Sequence, residues 1–137
     1  MIIVDTNVIS ELLKPRPSPS VMRWMRYAED DLCTTAINEV EARYGVERMD
    51  NGRRKHELEA LMDWIFAVQL RDHVLSFDSA AAKVLSAFVA DEQRRGRSYE
   101  PPDAQIIAIA KVHGAAIATR DHGFDRSGVP VINPWTA

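Results

Sequence analysis

Ile2-Ile3-Val4-Asp5-Thr6-Asn7 decides how the rest of the chain is read. Three apolar β-formers run directly into a carboxylate, a hydroxyl and an amide. A short apolar run with a polar boundary predicts a buried strand. In an open α/β sheet, ligands bind just beyond the carboxyl ends of the strands. Asp5 stands at such an end. One acid there has no function alone; a site needs further acids delivered to the same edge.

Working outward, Val8-Ile9-Ser10-Glu11-Leu12-Leu13 carries apolar residues at helical spacing, and the prolines from Pro15 to Pro19 stop it. A second helix follows with Ser18 or Ser20 as its cap, and Leu32–Thr35 reads as a short strand. From about Ile37 to Met49 the spacing predicts a helix whose inward face is Ile37, Val40 and Tyr44. Glu41 falls on that same face, where a lone carboxylate is costly unless paired or metal-bound. After the Asn51-Gly52 turn, Leu58, Leu61, Met62, Ile65 and Phe66 form one helical stripe. Val74–Phe77 is a short extended segment. Ala81, Val84, Leu85, Phe88 and Val89 line another helix. Asp103, directly after Pro101-Pro102, begins a helix as its N-cap or in its first turn, and His113-Gly114 ends it. Ala115–Thr119 reads as a buried strand entering Arg120-Asp121, and Val129–Ile132 as a last one. Strands alternating with helices predict an α/β/α sandwich on a mostly parallel central sheet.

With 137 residues, 46% of them hydrophobic and 27% charged, the chain suits one globular domain, residues 1–137. A net charge of −3 supplies no general attraction to nucleic acid, so any such binding needs a local basic patch or a metal. The single cysteine, Cys33, precludes an internal disulfide framework and reads as a buried, inert thiol. No run is long and apolar enough to span a membrane, and the first residues lack the basic-then-apolar layout of a signal peptide. A cytoplasmic protein is the expectation. The four histidines have no metal-ligand spacing. The basic clusters Arg53-Arg54-Lys55 and Arg94-Arg95-Gly96-Arg97 suit helix ends as well as phosphates.

Four acids share one kind of position. Asp5 and Asp121 follow buried strands, Asp103 starts a helix, and Glu41 projects from another. In a parallel sheet, strand ends and the starts of the following helices meet at one edge. Carboxylates gathered there repel one another and raise each other's pKa, and a hard divalent cation relieves the repulsion. Each acid also has a simpler reading: Asp103 as a helix cap, Asp5 and Asp121 as turn formers. The set, more than any member, points to metal-assisted phosphodiester chemistry.

These residues resemble a family. Val4–Leu12 is similar to the opening of the PIN-domain ribonucleases, especially toxins of the VapC and FitB type. Glu41-Ala42-Arg43-Tyr44-Gly45-Val46 resembles their second acidic motif, Asp103–Ala110 the third, and Thr119-Arg120-Asp121 with Asn133-Pro134-Trp135 their closing segment. The likeness spans essentially the whole chain in order. It implies a PIN-like fold, dependence on Mg²⁺ or Mn²⁺, and endoribonuclease action on single-stranded RNA. It further implies a cognate antitoxin protein, a homodimer, and contact with DNA only through the antitoxin. Carried over residue by residue, it makes Asp5, Glu41, Asp103 and Asp121 the catalytic, metal-holding acids. Thr6 and Thr119 support them, and Asn7 orients the loop after Asp5. Many relatives have asparagine after Thr-Arg and an acid a few residues later. Here Asp121 follows directly and Asp125 is the second candidate. Two other readings remain: a catalytically silent PIN-like binding module, and a Mg²⁺-binding receiver-like signalling domain. The latter normally carries two adjacent acids after its first strand and a lysine after a late one, unlike Asp5 and Arg120 here.

Overall fold

The computed structural model describes residues 1–137. Five strands, β1 (Ile2–Val4), β2 (Leu32–Thr35), β3 (Val74–Leu75), β4 (Ala116–Ala118) and β5 (Val131–Ile132), form one sheet in the order β3-β2-β1-β4-β5. All four pairings are parallel. Six helices connect them: α1 (Thr6–Leu12), α2 (Pro19–Tyr27), α3 (Ala36–Glu47), α4 (Arg53–Trp64), α5 (Ser79–Arg94) and α6 (Pro101–His113). A π-helical stretch, Ile65–Gln69, extends α4, and 3₁₀ turns stand at Glu29–Asp31 and His122–Phe124.

Side chains alternate across a strand, so neighbouring residues serve opposite faces of the sheet. Ile3 and Ile117 join one core with Leu75, Ile106, Ile107 and Phe124, under α5 and α6. Val4 and Ala118 join the other, with Val8, Ile9, Trp24, Met25, Met62 and Phe66, under α1 to α4. The result is the expected α/β/α sandwich, with a sheet that is wholly parallel. Chain order runs outward from β1 to β3, then crosses back to β4 on the other side of β1. The carboxyl ends of β1 and β4 therefore flank the point where the winding reverses, the place where open α/β sheets form their ligand crevice. Asp5 and Thr119 are the first residues beyond those two ends.

Between Ser18 and Ser20, Ser18 is the cap of α2, its Oγ accepting from the Val21 N–H at 3.5 Å. Asp103 lies in the first turn of α6 and not at its cap, which is Glu100. Ile106–Ala110 are all buried, so the site end of α6 is held by a helix enclosed on every side. The α6 stop at Gly114 has φ +62, a left-handed conformation that favours glycine.

The expected face of α3 is corrected. Val40 and Tyr44 are 67% and 63% exposed, and the buried residues are Asn38, Ala42 and Val46. Apolar spacing misplaced the face because Asn38 is a polar residue buried with full hydrogen bonding, and Ala42 is small. The stripe on α5 is also only half-buried at Val84, Leu85, Phe88 and Val89. The apolar residues of α2 and α4 are mostly consumed by the core, leaving Tyr27, Trp64 and Val68 exposed.

Cys33 is fully buried, its Sγ donates to the Ile2 carbonyl at 3.4 Å, and burial pushes its thiol up to about 11. The thiolate is the reactive form. Cys33 is therefore expected to resist an aromatic disulfide reagent at pH 8 until denaturant is added; immediate stoichiometric labelling of native protein would contradict this packing. No helix is long and apolar enough to cross a membrane.

Candidate active site

Asp5 is the hinge between β1 and α1. Its side chain caps α1, with Oδ1 accepting from the Thr6 N–H at 2.8 Å. The carboxylate is almost fully buried. Oδ1 also accepts from Asn38 Nδ2 at 2.9 Å, and Oδ2 accepts from Thr119 Oγ1 at 2.7 Å. Burial raises the Asp5 pKa; the hydrogen bonds from Thr119, Thr6 and Asn38 oppose that rise, and Glu41 adds to it.

Two buried polar residues set this geometry. Thr119 donates its single hydroxyl proton to Asp5 and accepts from Asn7 Nδ2 at 2.9 Å and from the Asp121 N–H at 3.0 Å. That uses the full capacity of one hydroxyl. Asn38 donates to Asp5 and also to Thr6 Oγ1 at 3.1 Å, while its Oδ1 accepts from Thr35 Oγ1 at 2.7 Å. Thr35 in turn caps α3 by accepting from the Asn38 N–H at 3.1 Å. Thr6 then donates its hydroxyl to Glu41 Oε1 at 2.8 Å. A continuous chain of hydrogen bonds thus runs from the end of β2 through the end of β1 to Glu41.

Glu41 is solvent-exposed, contrary to its expected inward position, and reaches the site from the open edge of α3. Asp121 caps the 3₁₀ turn after β4, with Oδ1 accepting from the Gly123 N–H at 2.8 Å. The half-buried Asp103 carboxylate is pushed up to about 6, first by burial and then by the negative charges of Asp121, Asp5, Glu41 and Glu100. Two of the simpler readings are therefore incomplete: Asp5 and Asp121 do shape turns, yet both also face this shared space. Asp103 is no cap.

Asp5, Glu41, Asp103 and Asp121 line one open cavity of about 390 Å³ with no hydrophobic wall residue. Thr6 and Asn7 line it too, as do Ser10, Glu11, Lys14 and Arg120. Asp125 does not: it pairs with His122 at 2.9 Å beside a separate cavity that includes Arg97 and Arg126. The acids do not draw together into a compact cage of three or more ligands. Four carboxylates that repel one another on the cavity wall still suit a hard cation such as Mg²⁺, which is usually held through one or two carboxylates and keeps several waters. The oxygen-rich donor set therefore fits the group.

Sequence reasoning missed Asn38, Glu11, Lys14 and Arg120. Asn38 had a signal: it stands three residues after the capping Thr35, in the first turn of a helix that starts at the carboxyl edge of the sheet. Glu11 is buried and holds the loop after α1, accepting from Lys14 Nζ at 3.0 Å and from the Ser18 N–H at 3.0 Å. The Lys14 hydrogen bond is the main reason that its pKa is lowered. The basic clusters on α4 and α5 are partly occupied by acids, with Lys55 near Glu47, Arg95 on Asp91 and Arg97 on Glu92.

The sheet order, the reversal point and the four carboxylates define a class, and residues 2–129 match the family model described as the PIN domain. The chain belongs to the PIN-domain family. Within it, the chain is 37% identical to the plasmid stability protein StbB of Pseudomonas syringae pv. tomato, with all of both chains covered. It is 34% identical to the VapC ribonuclease Y4jK of Sinorhizobium fredii, over 98% of each chain. Its fold superimposes on the crystal structure of FitAcB from Neisseria gonorrhoeae with a TM-score of 0.90, at 33% identity and with both chains fully covered.

Proposed function

We propose that this chain, as one domain, is a Mg²⁺- or Mn²⁺-dependent endoribonuclease and the toxin of a toxin–antitoxin pair. The observation that carries the reading is the polar cavity in which Asp5, Glu41, Asp103 and Asp121 converge at the sheet's reversal point. The relationship to a VapC ribonuclease and to the toxin FitB of Neisseria gonorrhoeae supports it.

The four acids would hold the cation. When bound, it neutralises phosphodiester charge and lowers the pKa of water at the site. The protein's own contribution is placement. Thr119 and Asn38 lock the Asp5 carboxylate from both sides, and Thr6 holds Glu41 at the rim. Asp103 accepts no hydrogen bond inside the chain and stays available at the mouth of a rigid helix. Antitoxin binding and homodimer formation belong to the same reading, with DNA contacted only through the antitoxin. Val40 and Tyr44, exposed on either side of Glu41 on α3, give an antitoxin segment apolar surface beside the acids.

The test is to sequence the RNA ends produced by purified protein with Mg²⁺ or Mn²⁺, against an Asp5→Asn control. Defined cleavage ends that need the metal and vanish in the variant are expected. Equal cleavage by Asp5→Asn would remove the acidic cavity from the reaction.

A further inference from the structure

Two cations line the acidic cavity, Lys14 and Arg120. Lys14 is engaged, 3.0 Å from the buried Glu11 carboxylate. Arg120 forms no ion pair, although it shares the cavity with Asp5, Glu41, Asp103 and Asp121. Its guanidinium instead lies over the indole ring of Trp135, 4.4 Å from the ring centroid. Trp135 is itself fixed. Its backbone N–H donates to Asn133 Oδ1 at 2.9 Å, and its side chain packs against the core that contains Val4 and Ala118.

A flexible arginine among carboxylates gains most by folding onto one of them. Stacking on an aromatic face offers a competing attraction. Trp135 thereby keeps a planar, fully charged group at the cavity wall with its N–H donors unspent. Arg120 also follows Thr119, whose hydroxyl joins Asp5, Asn7 and the Asp121 backbone, so its main chain is fixed relative to the acids. The guanidinium fork matches two phosphate oxygens at once. A wall of carboxylates alone repels a polyanion, and an unspent arginine beside them offsets that repulsion where the backbone must enter.

We infer that Arg120 is a substrate-binding residue that grips a phosphate of single-stranded RNA adjacent to the bond being cut, and that Trp135 is its positioning residue. The inference rests on the RNA reading given above. Its test separates the two. Binding of a short labelled single-stranded RNA is measured by fluorescence anisotropy over a salt series, with Mg²⁺ present, in an Asp103→Asn background. Removing one phosphate contact lowers the slope of log affinity against log salt by roughly 0.7 for a single strand. Arg120→Ala is expected to weaken binding about tenfold at low salt and to reduce that slope by about this amount. Arg120→Lys retains the slope. Trp135→Leu weakens binding and keeps the slope, because the charge stays and only its placement is lost. In the otherwise unaltered chain, Arg120→Ala raises KM for RNA more than it lowers kcat.

Unchanged affinity for Arg120→Ala, or lost affinity at constant slope, overturns the inference: Arg120 would then only clamp the Asn133–Trp135 segment. If that result accompanies metal-dependent cleavage by the parent chain, the proposed function stands without it. If the slope falls as expected but the parent cuts no RNA, the phosphate contact stands and the nuclease reading fails. A parent chain that binds no RNA removes both.

Discussion

Asp103→Asn is expected to lower metal-dependent RNA cleavage by about 10²–10³-fold, the scale for losing one preorganised group that stabilises a transition state, while making the metal-free protein more stable. The two effects have one origin. Asp103 is half-buried and faces Asp121, Asp5 and Glu41, so burial and these charges push its carboxyl up to about 6 from an ordinary 3.8. A carboxyl with a raised folded pKa destabilises the fold when ionised. Between about pH 4 and pH 6 the folded chain keeps a proton that the unfolded chain releases. Stability therefore falls as pH rises through that window and stays reduced above it. The nominal shift corresponds to about 3 kcal/mol; solvent screening at a half-exposed group reduces this to about 1–2 kcal/mol. Asparagine has no proton to lose. Urea midpoints should thus show the variant more stable than the parent at pH 7.5, with little difference at pH 4. Added Mg²⁺ should raise the parent's melting temperature more than the variant's, since a ligand stabilises the state that binds it. A variant less stable than the parent at pH 7.5 without metal would mean that Asp103 makes a stabilising contact in the metal-free fold.

Asn38→Leu is expected to destabilise the fold by about 2–4 kcal/mol and to reduce cleavage by about 10–100-fold. Leucine has nearly the shape of asparagine but can neither donate nor accept. The substitution removes two donated bonds, to Asp5 Oδ1 and Thr6 Oγ1, and leaves the Thr35 hydroxyl without its acceptor. Three lost bonds at about 0.5–1.5 kcal/mol each sum to about 2–4 kcal/mol. The activity loss follows the scale for groups that orient acids without touching substrate. Asn38→Asp separates hydrogen bonding from charge. It keeps an acceptor for Thr35 but sets a second buried carboxylate against Asp5. Like charges at that distance cannot both ionise comfortably. Asn38→Asp should therefore be most unstable at neutral pH and recover as pH falls, the reverse of ordinary acid denaturation. Chemical denaturation at pH 5 and pH 8 measures this directly; equal loss at both would assign the effect to shape alone.

The helices and strands were largely legible from local pattern. The run Ile2–Val4 and the stop at Gly114 each have a backbone cause acting within a few residues, whereas α6 starts at Pro101, two residues before the expected Asp103. The candidate acids were legible as a set because parallel winding delivers strand ends and helix starts to one edge. Glu41 was found for an incorrect reason. Its helix was read with Val40 and Tyr44 inward, when both face solvent and the polar Asn38 is the buried residue. Apolar periodicity cannot anticipate a buried amide, because the partners that make its burial tolerable come from β1, α1 and the end of β2.

Residue order alone therefore determined the α/β alternation and pointed to the four candidate acids that line one cavity in the fold. Tertiary structure decided three other matters. It placed Asp121 on the wall of the acidic cavity and Asp125 outside it. It made Asn38 and Thr119 the locks on Asp5. It also set Arg120 over Trp135, fifteen residues further along the chain. The physical reason is range. Strand and helix preferences act between near neighbours, whereas hydrogen-bond satisfaction and charge repulsion depend on which distant segments the sheet order brings together. Asp5 shows both: its place after a strand is local, and the orientation of its carboxylate depends on partners 33 and 114 residues away.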